Sequence, residues 1–268
     1  MLNLNETNYP FSSYVPSRFA AGSFAVLVYL SLIGWFVQCL HMKCRPTFLS
    51  IMIFVAHLGT FIELILRATL SRDILNTKFL YKIQAPMWSI PSRMLLFANY
   101  HCLVELRGKK PRGVLDRVID IVVPIVAIAG DILLAVANEF SFKPHRLQTS
   151  FHLRQASAAC ILVLAVLFYA IWFLAVSETR RLYALPLLAV SSTAVLIEAI
   201  YVQALSIPNV FFALNQYEYW YYAGHVIPIV LALLAWSLFH PRRLLPPLQR
   251  DVPHDETGRE LLPPPPAL

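Results

Sequence analysis

Seven long apolar runs, separated by short clusters of charged residues, prolines and small polar residues, set the rhythm of this chain. The first spans Phe19 to Cys39, and six follow at roughly 47–70, 79–104, 118–137, 156–176, 183–205 and 219–239. A helix rises 1.5 Å per residue, so about 20 residues cross a hydrocarbon core about 30 Å thick. Each run therefore predicts a transmembrane helix. The last is the plainest, because no Lys, Arg, Asp or Glu interrupts the 21 residues from Tyr219 to Phe239. Its entry carries Glu218, Tyr219, Trp220, Tyr221, Tyr222 and His225, and His240, Pro241, Arg242 and Arg243 stop it. The first run is too long for the apolar core of a signal peptide and only Arg18 precedes it as a basic flank, so it reads as a mature helix.

Seven spans place the two termini on opposite sides of a membrane, and the positive-inside rule orients them. One set of loops and the C-terminus collects thirteen Lys and Arg, including Lys43, Arg45, Lys109, Lys110, Arg180, Arg181, Arg242 and Arg243; the other set collects six. The expected architecture is an all-α, polytopic bundle of seven transmembrane helices over 19–243. Residues 1–18 form a lumenal or external N-terminal segment, with a sequon at Asn5-Glu6-Thr7. Residues 244–268 form a cytosolic tail with prolines at 246, 247 and 263–266, a composition that cannot bury enough apolar surface to fold.

Composition changes this picture little and excludes much. With 58% hydrophobic residues, 14% charged residues and a mean hydropathy of +0.60, the chain is too apolar for a soluble domain. The formal net charge of +7 resides in the loops that set topology, so nucleic acid is not an expected partner. Cys39, Cys44, Cys102 and Cys160 lack the paired spacing of a zinc site or disulfide framework. No metal and no cofactor is expected. The expected partners are the bilayer and a lipophilic small molecule; nothing in the sequence chooses between endoplasmic reticulum and plasma membrane. No internal repeat points to an inverted-repeat transporter.

Ionisable residues within spans are costly and mark function or a paired contact. They are Glu63 and Arg67, Arg93, Asp120 and Asp131, Glu198, and Glu218 with His225. Under the topology above, Glu63, Asp131 and Glu198 fall past the midpoint of their helices toward the lumen, and helix seven begins there. These acids and His225 thus share one depth, while Asp120 lies near the cytosolic interface. Each has a plain structural alternative. Glu63 and Arg67, four apart, could be an ion pair; Asp131 or Glu198 could neutralise Arg93; and the aromatic run at 217–222 is first an interfacial belt. Pro86, Pro91 and Pro124 predict kinks that free carbonyls and open space.

The stretch with Glu218, Tyr222, Pro228 and His240-Pro241, together with Glu198, Asp120 and Gly130, resembles the fungal lipid-translocating exporter family of seven-helix membrane proteins. The resemblance implies lipid translocation or resistance to membrane-active compounds. Departures cluster in the polar site: Ser191 and Val195 stand where that family has arginines, His225 where it has aspartate, Ala127 where it has glutamine and Ala98 where it has arginine. A looser resemblance joins Glu63 in helix two, and Glu218 or His225 early in helix seven, to the small seven-helix terpene cyclases of fungal meroterpenoid pathways. That resemblance implies cyclisation of a prenyl or epoxy-prenyl chain started by a proton.

Such chemistry needs a carboxylic acid kept protonated by apolar surroundings, aromatic faces for passing cations, and a base for the final proton. Glu63, beside Phe54, Phe61 and Leu66, suits the acid. Glu198, Asp131 or His225 suits the remaining catalytic positions, and Trp88, Arg93, Glu218, Trp220, Tyr221 and Tyr222, with Phe97, suit the substrate. No aspartate-rich metal motif appears, so an ionising mechanism is not expected. The cyclase is the favoured expectation and the lipid exporter the alternative.

Overall fold

The computed structural model describes residues 10–11, 14–41, 44, 46–107, 113–178 and 185–239. The sequon, the 244–268 tail and the basic stop after Phe239 lie outside the described residues. Among those described, the chain is all-helical: α1 (Arg18–His41), α2 (Thr47–Thr69), a short α3 (Arg72–Leu75), α4 (Lys78–Arg107), α5 (Val114–Phe140), α6 (Leu147–Glu178), α7 (Leu185–Leu205), α8 (Pro208–Leu214), α9 (Glu218–Tyr221) and α10 (Ile227–Leu238). A 3₁₀ turn, Pro144–Arg146, leads into α6. Six stretches are long and apolar enough to cross a membrane: Arg18–His41, Thr47–Thr69, Asp116–Phe140, Pro144–Leu174, Pro186–Leu205 and Glu218–Leu238.

The long helix outside that set is α4, and its packing explains why. It lies against α2, α5, α6 and α7 and also touches α10, while the other long helices follow one another in the order α2, α1, α10, α7, α6, α5. A helix shielded by its neighbours can carry polar side chains without offering them to lipid. Ser92, Arg93 and Asn99 of α4 are accordingly buried. On the bundle's outside, α5 presents Val118, Ile121, Val122, Ile125, Ile128 and Ile132, all strongly exposed at helical spacing, while Ile119, Val123 and Ala127 face inward.

With lipid outside, apolar contact alone does not favour one helix pairing over another, so polar side chains and small residues fix the packing. His57 of α2 lies with Nε2 3.0 Å from Ser31 Oγ of α1 and 3.2 Å from Ser237 Oγ of α10, and its Nδ1 lies 2.8 Å from the Ile53 carbonyl. Trp236 of α10 donates to Ser191 Oγ of α7 at 3.0 Å, and the Tyr100 hydroxyl of α4 donates to the Leu164 carbonyl of α6 at 2.7 Å. Bonds of this kind contribute roughly 0.6–2 kcal/mol each in a bilayer. Ser191, which departs from the exporter pattern, thus has a packing role.

Several helices outrun the apolar windows that predicted them. α6 begins at Leu147 rather than near 156, and α4 continues to Arg107. Polar ends stay helical where a neighbour receives their side chains, as α5 does for α6. The helices run on through Pro86, Pro91 and Pro124. Gly59 of α2 makes room for Pro91, since a methyl at 59 would sit 3.3 Å from the proline ring.

The predicted seventh helix is not one continuous α-helix. Residues Tyr222–Val226 form a π-helical turn between α9 and α10, and the Ile227 N–H bonds the Tyr222 carbonyl five residues back. Pro228 has no N–H to return to the Gly224 carbonyl, so the α-helical ladder cannot close across this step. The turn has a tight neighbour as well. A methyl at Gly224 would lie 2.3 Å from the Tyr201 ring of α7, so only glycine admits this approach.

Candidate functional site

Seven helix ends meet on one side of the bundle: the starts of α1, α4, α6 and α9 and the ends of α2, α5 and α7. One cavity opens among them. Glu63 and Arg67 reach it from α2, Tyr81, Trp88 and Arg93 from α4, Asn138 from α5, Arg154 and Ser157 from α6, and Glu198 and Tyr201 from α7. Phe211 of α8 and Tyr221 of α9 also line it.

The chain's own N-terminal strap covers part of it. Pro10, Phe11, Tyr14 and Pro16 all line the cavity. Asn215 Nδ2 donates to the Phe11 carbonyl at 3.0 Å, and the Phe11 ring meets Tyr81 edge-on at 5.9 Å. The Tyr14 hydroxyl accepts from Arg67 at 3.2 Å, and the Ser17 N–H donates to Glu218 Oε1 at 2.7 Å. Glu218 therefore ties the start of α1 to α9 and does not line the cavity.

At the inner wall, three ionisable side chains from three helices touch. His225 of the π turn places Nε2 3.2 Å from Glu63 Oε2 and Nδ1 3.3 Å from Glu198 Oε1. Glu63, Glu198 and His225 are 1%, 2% and 1% exposed, so these contacts lie away from bulk solvent. Both carboxylates line the cavity, whereas His225 stands behind them, with the edge-on Trp88 ring 5.3 Å from its own.

Glu63 is buried as expected, but its surroundings are polar. Its Oε1 accepts from the Tyr221 hydroxyl at 2.7 Å and lies 3.6 Å from Arg67 Nε. Arg67 in turn stacks 3.7 Å over the Tyr221 ring. Phe54, expected beside the acid, is exposed on the outer face of α2, and Phe61 meets Tyr29 of α1. The ion pair with Arg67, one of the two alternatives for Glu63, is present and coexists with the histidine contact.

The remaining sequence candidates divide. Trp88, Arg93 and Tyr221 line the cavity. Asp131 does not; half-exposed on α5, it pairs with Arg93, whose Nη2 also donates to Ser157 Oγ at 3.2 Å. Trp220 faces outward against Tyr219, and Tyr222 stacks on Phe24 of α1 at 5.4 Å. Phe97 packs into the core. Sequence reasoning missed Tyr81, Arg154, Tyr201 and the strap. Arg154 counted as a loop charge because α6 was expected to start later, whereas here it donates to Asn138 Oδ1 at 2.8 Å and to the Tyr81 hydroxyl.

No group of three or more His, Cys, Asp or Glu among the described residues could hold a metal ion. Compared with known proteins, the chain matches no family model, no curated protein and no solved structure. Its function must be argued from the site.

Proposed function

We propose that the chain is an integral-membrane isomerase of the terpene-cyclase kind, which closes rings in a prenyl or epoxy-prenyl chain after protonating it, as in fungal meroterpenoid and related secondary-metabolite biosynthesis. One observation carries the reading: two buried carboxylates, Glu63 and Glu198, face one aromatic-walled cavity and share His225 behind them. Acid-initiated cyclisation needs one group that gives a proton and another that takes one back, both beside the same greasy chain. Trp88, Tyr81, Tyr201 and Phe211 line the same cavity, and an aromatic face is worth roughly 0.5–2 kcal/mol to a passing cation.

We infer the roles from what lies beside each carboxylate. The Tyr221 hydroxyl donates to Glu63 Oε1, and the Arg67 guanidinium lies 3.6 Å away as an ion-pair partner; both favour the ionised form, so Glu63 is assigned as the carboxylate that takes a proton. Glu198 makes its only hydrogen bond among the described residues to His225, which suits it to give a proton. This reverses the roles expected from the sequence, where Glu63 is the acid. Membranes carrying the protein, fed a prenyl-phenol and its terminal epoxide, should yield a cyclised isomer of unchanged mass. Absence of any isomer from either probe, with the protein inserted and folded, would sink the reading.

A second reading, translocation of an anionic lipid as in the exporter family, draws on Arg67, Arg93 and Arg154, which all line the cavity and suit an acidic headgroup. It expects labelled lipid to change leaflets in reconstituted vesicles and no isomer to form. For either reading we infer that α4 is the seventh span and that the cavity end faces the lumen or exterior, on the thirteen-to-six count of basic residues. A glycosylation reporter placed after Leu268 should remain unmodified. A glycosylated reporter would reverse the orientation.

A further inference from the structure

We infer that the cavity holds its substrate at two ends: Arg154, set by Tyr81 and Asn138, grips an oxyanion on the head of the prenyl chain, while the far end of the chain lies against Glu63 and Glu198. The inference rests on the cyclase reading for what happens at the far end, and the head contact is tested without turnover.

The cavity changes character along its length. Tyr81 stands three residues into α4 and Asn138 two residues before the end of α5. Arg154 Nη2 donates to the Tyr81 hydroxyl, to Asn138 Oδ1 at 2.8 Å and to Ser141 Oγ at 3.0 Å, so the guanidinium sits at their level. Trp88 is seven residues deeper on α4, about 10 Å along the helix axis. Its ring meets His225, which touches both carboxylates, so the acid pair lies about that far below Arg154. One helical turn below each upper residue comes an apolar one: Ala85 below Tyr81, Leu134 below Asn138 and Ala158 below Arg154. All six line the cavity.

From the helix ends inward the order is therefore polar, apolar, acidic. That order fits an amphiphile whose head and reacting end are separated by a greasy chain. Both carboxylates among the described lining residues lie at the inner end, so only that end can protonate an alkene, which fixes the way round the chain lies. Arginine suits the head because its planar fork of N–H donors matches the paired oxygens of a carboxylate or a phosphate. A charge in the wall of a membrane cavity also marks the path of a substrate. Tyr81, Asn138 and Ser141 present neutral oxygens that fix the direction of the fork. Arg67 and Arg93 belong to the inner end, where they pair with Glu63 and Asp131.

The test compares a benzoic acid carrying a saturated chain of farnesyl length with its methyl ester and with the same chain ended in phosphate. None of the three can be protonated and closed, so equilibrium binding to the purified protein in detergent is read apart from turnover. Wild type should bind an anionic probe about tenfold or more tighter than the ester, and the tighter of acid and phosphate names the head. Arg154→Gln should bring the three within about threefold of one another by weakening the anions alone, whereas loss of a merely structural arginine would weaken acid and ester alike. Asn138→Asp is an independent variant, nearly isosteric, that places a carboxylate against the guanidinium. It should erase the preference even if Arg154→Gln does not fold. Equal binding of the three probes by wild type, or a preference that survives in a folded Arg154→Gln or Asn138→Asp protein, overturns the head assignment and leaves the cyclase reading to be judged by isomer formation. If the preference depends on Arg154 but neither the prenyl-phenols nor the unsaturated acid and phosphate yield an isomer, the head contact stands and the cyclase reading fails.

Discussion

Glu63→Gln is expected to lower turnover 100- to 10,000-fold and to leave a folded, inserted protein. The amide keeps the shape of the carboxylate and its Oε1 can still accept from Tyr221, but it cannot take a proton from a carbocation. What disappears is the contribution of acid–base catalysis, about 3–5 kcal/mol of barrier at the usual conversion. Arg67 would not be stranded, because it retains the Tyr14 hydroxyl at 3.2 Å and the Tyr221 ring at 3.7 Å. The rival outcome is distinct. If the acid serves only as partner to Arg67, the single variant should show reduced expression and thermal stability, since an uncompensated buried charge costs several kcal/mol. Adding Arg67→Leu should then restore stability and activity together. Restored activity in that double variant would remove Glu63 from the chemistry; a stable, inactive double variant would keep it there.

The second large effect is expected from Gly224→Ala. The added methyl would lie 2.3 Å from the Tyr201 ring and 2.4 Å and 2.8 Å from further carbons of it. The atoms met belong to the body of the ring and not to the end of a flexible chain, so the Tyr201 ring or the π turn itself must shift. Overpacking of this kind costs typically 1–3 kcal/mol, which thermal unfolding in detergent would register. His225 is the next residue along the chain, and a displacement of about 1 Å at a reacting centre can cost on the order of 100-fold in rate. Both losses should appear together, and Tyr201→Ala in the same chain should recover much of the stability by opening room. A Gly224→Ala protein with unchanged melting and unchanged turnover would show that the close approach to Tyr201 places nothing that matters.

The apolar spacing revealed the long helices because a bilayer demands runs of a fixed length, and α1, α2 and the Glu218–Leu238 stretch obey that demand closely. It was less informative where protein replaces lipid. α4 escapes the apolar criterion because its neighbours shield Arg93 and Asn99, and the start of α6 was set too late because Arg154 reads as a loop charge until α5 is seen to receive it. The acids were visible as expensive residues, and their shared depth follows from topology. Their partners were not: Glu63 and His225 lie 162 residues apart and Glu198 and His225 27 apart, and depth alone does not say which faces meet. Asp131 and Glu198 had equal standing as partners of Arg93, and packing gave Asp131 to that role. The π turn had a signal, Gly224 followed four residues later by Pro228, whose missing N–H breaks the ladder. The strap had none, since an irregular segment carries no period.

That strap bears on how the protein is handled. Pro10, Phe11, Tyr14 and Pro16 form part of the cavity wall and are held by Asn215, Arg67 and Glu218 through single hydrogen bonds to the segment. An affinity tag or fluorescent fusion joined ahead of Pro10 would pull on the cover of the cavity, altering ligand entry while leaving the bundle intact. Such a preparation would look well folded by every bulk measure and still misreport binding. The end of α10 lies at the opposite pole and contributes no residue to the cavity, so that is where a purification handle belongs.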